Sequence, residues 1–194
     1  MTKLITGPMF SFKTSRLVHS MEKYLLAGKK ILFFRPLKDD RGYVSHNDGI
    51  EKLFKNLKGE ITTKEVSSYD DMESIIKDLY IDKNMIDVIF VDEYFMIKDC
   101  YKLAEEFGDK LPIIFAGLIS DSNNILFPEA INLLPFIEYI EKENAICMEC
   151  GEPASFSAYF GSPNRGEIEV GDNLYKCLCF SCYKKANKTI YKTR

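Results

Sequence analysis

The stretch Gly7-Pro-Met-Phe-Ser-Phe-Lys13-Thr14 decides how this chain is read. It follows the pattern G-x-x-x-x-G-K-[ST] at every position but one. In that pattern the backbone amides and the lysine surround the β- and γ-phosphates of a nucleotide, and the hydroxyl residue holds magnesium. The second glycine is replaced by Phe12. Taken alone, these residues also suit an ordinary turn between a strand and a helix. The flanks favour the phosphate loop. Leu4-Ile5 open a strand before it, and Leu17, Met21, Tyr24 and Leu25 recur after it at helical spacing up to Gly28, which suits a C′ cap.

Working outward, residues 86–93 read Ile-Asp-Val-Ile-Phe-Val-Asp92-Glu93, an apolar run ending in paired carboxylates. This is the form of a Walker B strand, which sets an acid at the carboxyl edge of a parallel sheet beside the phosphate loop, where magnesium sits. A solvated strand end would be the plain reading of Asp92-Glu93 if the loop were absent. The two motifs together support a nucleotide site. Residues 30–34 and 111–116 give further buried strands, Asp70 is expected to cap a helix carrying Met72, Ile75, Ile76 and Leu79, and residues 98–107 give another helix. Alternating strands and helices specify an α/β fold, a P-loop-type parallel sheet with flanking helices.

Near residue 140 the long periodic segments give way to glycines, cysteines and short β-prone runs, so the chain divides into an α/β domain at 1–140 and a small β-rich domain at 141–194. Cys147-Met-Glu-Cys150 and Cys179-Phe-Ser-Cys182 are two C-x2-C pairs that complete a tetrahedral sulfur shell for one structural zinc ion. The competing reading is two pairs of free buried cysteines, which leaves the paired spacing unexplained. Cys177 points to the other face of its strand, Cys100 belongs to the core, and neither His19 nor His46 is needed as a ligand.

Composition limits the remaining choices. The chain has 194 residues, 46% of them hydrophobic, which is one domain plus an appendage. Its 26 basic and 29 acidic residues leave a net charge of -3, and no lysine-rich block with interleaved aromatics is present, which argues against a nucleic-acid partner. The N-terminus lacks the features of a signal peptide and no stretch approaches a bilayer span, so a soluble cytoplasmic protein is expected, with clustered thiols pointing to metal rather than disulfides.

These residues resemble a known family. GPMFSFKT is similar to the GPMFSGKT of the zinc-containing thymidine kinases of bacteria, animals, poxviruses and phages, whose second domain carries a substrate-covering lasso loop. The likeness continues through Asp39-Asp40-Arg41, Ser45-His46, Val91-Asp92-Glu93, Phe115-Ala116-Gly117-Leu118, Phe127-Pro128-Glu129 and Leu133-Leu134-Pro135. It ends in Ala145-Ile-Cys147-Met-Glu-Cys150, Ala154-Ser155-Phe156-Ser157 and the segment from Tyr175 to Cys179 and Cys182. The resemblance implies transfer of the ATP γ-phosphoryl group to the 5′-hydroxyl of thymidine or a related deoxynucleoside, in a homotetramer. It implies that Gly7, Ser11 and Lys13 hold phosphate, Thr14, Asp92 and Asp39 serve Mg²⁺, Glu93 is the general base and Arg41 stabilises transferred charge. Met9, Leu118, Phe127 and Tyr175 would line the nucleoside pocket, with main-chain groups around Ser157 and Val170 reading the base edge.

Departures from that pattern gather at the expected site. Besides Phe12, the glutamine of the family's DEaQF is lost in Asp92-Glu93-Tyr94-Phe95-Met96, Ile119 and Ser122 replace an acid and an aromatic, Asn124 replaces a basic residue, and Tyr159 an arginine. Two readings follow. One is a working deoxynucleoside kinase, which the retained Lys13, Thr14, Arg41, Asp92 and Glu93 favour; the other is a non-catalytic descendant that binds, senses or sequesters a nucleotide, which Phe12 favours. A structural subunit of a larger assembly is a weaker third.

Overall fold

In the computed structural model the described residues are 1–37, 54, 56–81, 86–161 and 174–191. The expected Asp39, Arg41, His46 and Val170 lie outside them. Six parallel strands form the main sheet: β1 Thr2–Thr6, β2 Lys30–Pro36, β3 Glu60–Val66, β4 Val88–Val91, β5 Ile113–Ala116 and β6 Tyr139–Lys142, in the spatial order β3-β2-β4-β5-β1-β6.

Side chains alternate across this sheet, and each face meets its own helices. Ile5, Phe33, Phe90 and Ile114 turn to α1 Lys13–Leu26, where Leu17, Met21 and Leu25 form the buried stripe at i, i+4 spacing. Leu4, Phe34, Val91 and Phe115 turn the other way, to α2 Tyr69–Ile81, α3 Tyr101–Phe107 and α4 Pro128–Leu133. The result is a three-layer sandwich. Gly28 ends α1 as expected: its φ is +74°, its N–H bonds the Leu25 carbonyl and the Lys29 N–H bonds that of Tyr24, a Schellman close.

Helix α2 corrects one sequence expectation. Asp70 does not cap it. Ser68 and Asp71 do so reciprocally, with the Asp71 N–H donating to Ser68 Oγ (3.4 Å) and the Ser68 N–H to Asp71 Oδ2 (3.1 Å). The polar strand β3 was not legible because its exposed edge position removes the apolar signal.

Two small antiparallel pairs follow β6: β7 Ala145–Ile146 with β8 Pro153–Ala154, and β9 Phe156–Tyr159 with β10 Tyr175–Leu178. Helix α5, Phe180–Tyr191, closes this part of the chain. Ala145, Cys147, Ala154, Ala158, Cys177, Leu178 and Tyr183 are its buried residues.

Candidate active site and metal centre

The two phosphate motifs meet. Strand β5 lies between β1 and β4, so the loop after β1 and the acids after β4 are not on neighbouring strands. Helix α1 spans that gap: the Thr14 hydroxyl donates to Asp92 Oδ2 at 3.3 Å, across 78 residues of sequence. Asp92 Oδ1 accepts the Glu93 N–H at 3.0 Å, and Glu93, like Lys13, is buried. Four of the predicted residues thus converge at the carboxyl edge of the sheet.

The loop itself is tightly built. Gly7 has φ +152°, and a Cβ there would run into the Glu143 carbonyl oxygen and lie 2.6 Å from Ser11 Oγ, so glycine is required. The Pro8 carbonyl accepts both the Ser11 hydroxyl (2.8 Å) and Lys13 Nζ (2.7 Å). Phe12 takes a left-handed conformation of the kind glycine favours, φ 59° and ψ 31°, at the N-cap of α1. Its side chain is turned to solvent, 76% exposed. A bulky residue in this region carries about 1–2 kcal/mol of strain. Phe10, φ 62°, shares that conformation.

A cavity of about 320 Å³ lies beside the loop, with Gly7, Pro8, Leu118, Asn124, Lys142 and Ser157 among its lining residues. Leu118 and Ser157 are therefore brought together as expected, and so are two of the departures, Ile119 and Asn124. Met9 touches Ser157 through its backbone: the Met9 N–H donates to Ser157 Oγ at 2.9 Å. Phe127 is turned into the core instead, stacked on Phe95 with ring centroids 4.5 Å apart. Tyr175 packs edge-on against Tyr159 at 5.3 Å. Ser122, at the position of a missing aromatic, is buried and its carbonyl accepts the Tyr183 hydroxyl at 2.7 Å.

Sequence reasoning missed the ionic fastening of α1. Arg16 reaches both Glu141 and Glu143, and Lys3 reaches Glu141. Hydrogen bonds from Lys3 and Arg16 hold the Glu141 carboxyl down at about 2 against the opposing effect of desolvation. Nothing local announces a contact between residues so far apart in the chain.

Away from the loop, the sulfur atoms of Cys147, Cys150, Cys179 and Cys182 all lie within 4.8 Å of one another, and Cys150 Sγ is 3.6 Å from Cys179 Sγ. A tetrahedral shell with metal–sulfur bonds of about 2.3 Å puts neighbouring sulfurs roughly 3.8 Å apart, so the donor set fits zinc. Turns place them: Gly151, φ +78°, closes the first knuckle with its N–H on the Cys147 carbonyl, and the second runs from Cys179 into the first turn of α5, which carries Cys182. Desolvation opposes ionisation of Cys147, but N–H groups of Cys179, Glu149 and Cys150 outweigh it and bring the thiol to about 6. Hydrogen bonding among the sulfurs pushes Cys182 up to about 12. Four thiols this close cannot all ionise without a cation among them. Cys177 and Cys100 are buried and take no part.

Comparison with known proteins bears on this arrangement. The profile of a family described as thymidine kinase matches residues 1–183. A protein of Amsacta moorei entomopoxvirus named thymidine kinase is 32% identical over 188 residues, 95% of this chain and 98% of its own. Thymidine kinase 1 of Dictyostelium discoideum is 31% identical over 183 residues, 93% of this chain and 76% of that protein. A solved structure, the Legionella pneumophila ATPase DotB, overlaps 78% of this chain and 43% of its own at a TM-score of 0.49 and 12% identity, too distant to add to the assignment.

Proposed function

The chain belongs to the thymidine kinase family, and from that premise we propose that it transfers the γ-phosphoryl group of ATP to the 5′-hydroxyl of thymidine or a related deoxynucleoside. The contact between Thr14 and Asp92 carries the reading, because it joins the hydroxyl of the phosphate loop to the acid of the second motif. Both are hard oxygen donors suited to Mg²⁺, which when bound would offset charge on the phosphates. Lys13 exchanges the Pro8 carbonyl for a phosphate oxygen, while Gly7 and Ser11 keep the loop in shape. Glu93 accepts the 5′-hydroxyl proton as the oxygen bonds to the γ-phosphorus and the bond to ADP breaks.

The outward turn of the Phe12 ring supports catalysis over a plugged loop. Leu118, Ser157 and the Met9 backbone form the nucleoside side of the site, to which Phe127 and Tyr175 are assigned by resemblance. Arg41, Asp39 and Val170 complete the proposed set by resemblance. We assign zinc to the four cysteines, a functional division of the chain near residue 140, a homotetramer and a cytoplasmic location as parts of the same proposal. No helix among the described residues is long and apolar enough to cross a membrane.

The test is incubation of purified protein with Mg-ATP and a panel of deoxynucleosides, following monophosphate and ADP. Glu93→Gln is expected to keep nucleoside binding and cut turnover by roughly 10² or more. Turnover equal to wild type would mean that another group is the base. The second reading, a nucleotide binder, draws on the strain at Phe12, and absence of turnover in both forms with retained thymidine-nucleotide binding would favour it.

A further inference from the structure

The phosphate loop is braced from outside the sheet. One contact with the cysteine module is made through a side chain: the Met9 N–H donates to Ser157 Oγ at 2.9 Å. Ser157 lies on β9, and its partner across the antiparallel pair is Cys177 on β10. The Cys177 carbonyl in turn accepts the N–H of Met148, inside the first cysteine knuckle, at 2.9 Å. Two residues beyond Cys177 stands Cys179, in the second knuckle. Two hydrogen bonds and one cross-strand pairing therefore join the first cysteine knuckle to the loop.

This loop needs bracing. Phe10 and Phe12 both hold left-handed backbone that side chains disfavour, so a loop released from its contacts would relax away from them. From inside, Ser11 and Lys13 hold the Pro8 carbonyl. Lys13 leaves that carbonyl when it turns to a phosphate, and the outside brace then matters most. Beside it, the Glu143 N–H bonds the Thr6 carbonyl at 2.7 Å, but that contact lies before the loop begins.

We propose that Ser157 is a positioning residue whose hydroxyl carries the order of the cysteine module into the phosphate loop, so that metal loading sets how firmly the loop grips a polyphosphate. This rests on the reading of the loop as a nucleoside triphosphate site. It assigns the Ser157 side chain to the loop, whereas the family resemblance gave this region a main-chain role toward the base.

The experiment compares metal-loaded wild type, Ser157→Ala and Ser157→Thr, each before and after chelation. It measures Mg-ATP and thymidine affinities by calorimetry, metal content, and ligand-free amide exchange of the peptide spanning residues 9–12. Losing one hydrogen bond should weaken Mg-ATP roughly 5–10-fold and speed exchange at Met9, with metal content unchanged, and Ser157→Thr should restore both. Chelation should reproduce the loss in wild type and add little in Ser157→Ala, because the two changes cut one path. Weakened thymidine binding with normal Mg-ATP would overturn the assignment. So would an additive effect of chelation, or unchanged exchange at Met9. If Mg-ATP binds none of the forms, the kinase reading fails, and the exchange rates alone decide the role of Ser157.

Discussion

In the α/β body, the sheet buries Leu4, Phe34, Val91 and Phe115 on one face and Ile5, Phe33, Phe90 and Ile114 on the other, each 2% exposed or less. In the cysteine module, the buried set is three alanines, Cys147, Cys177, Leu178 and Tyr183. Fully burying a leucine or phenylalanine contributes about 1.5–3 kcal/mol, and an alanine far less. The body can therefore order itself by burial, whereas strands of two to four residues over alanines cannot. What the module lacks in apolar volume it has instead in four clustered thiols that could hold a metal. The difference teaches that the part of the chain carrying the phosphate loop and the cysteine module depend on different chemistry, meeting at Ser157 and at Glu141–Glu143.

Removing the metal strains this comparison hardest. Binding of zinc to such a site is worth about 10–16 kcal/mol at neutral pH, most of it folding energy. Metal analysis should give about one zinc per chain, and Cys150→Ser or chelation should strip amide protection from residues 145–161 and 174–186 while the sheet stays protected. A Cys150→Ser variant with full metal and unchanged protection would break the contrast.

The converse cut is smaller. Phe33→Ala, in the body, should cost about 3–5 kcal/mol by the cavity it leaves, seen as a lower unfolding midpoint in denaturant. Metal content should stay at the wild-type value. Loss of metal in this variant would show that the module folds only on a finished body.

Legibility in the sequence followed the same division. Buried parallel strands announce themselves as apolar runs, so β1, β2, β4 and β5 could be read directly, whereas the polar edge strand β3 and the short β6 could not. The spacing of Lys13-Thr14 and Asp92-Glu93 pointed to a shared site, because strand ends and helix starts collect at one edge of such a sheet. The cysteine pairs were readable for a different reason: ligand spacing is local chemistry. What stayed hidden was contact between distant residues, such as Met9 with Ser157 and Arg16 with Glu141. The conformation of Phe12 was also undetermined, since only coordinates show that its backbone takes a φ that glycine favours while its ring turns to solvent.

Phe12 offers a smaller test, local to the loop. Because the ring already lies outside, Phe12→Gly should leave Mg-ATP affinity within about threefold of wild type. Relief of about 1–2 kcal/mol of strain, less the added freedom of glycine in the unfolded chain, should leave roughly 0.5–1 kcal/mol of added stability. A large gain in ATP affinity would mean that the ring reaches back into the loop in solution.

The smallest effect is expected where body and module adjoin. Glu141 sits on β6, shortly before the first cysteine knuckle, and bonds Lys3 of β1 and Arg16 of α1. Those partners hold its carboxyl at about 2, below the ordinary 4.5. A carboxyl depressed in the folded state adds stability that is present above the unfolded value and lost as pH falls through the folded one. Wild type should therefore exceed Glu141→Gln in unfolding midpoint at about pH 7, with the gap narrowing from about pH 5 downward and closing near pH 2. The pair is partly open to solvent, so the gap should be below about 1 kcal/mol and shrink in molar salt. Because the substitution cuts the fastening of α1 without touching the sulfur cluster, metal content should not change. A gap that persists unchanged to pH 2 would show that the glutamine acts by packing and not by charge. A gap accompanied by metal loss would show that β6 transmits order into the module as well as into the loop.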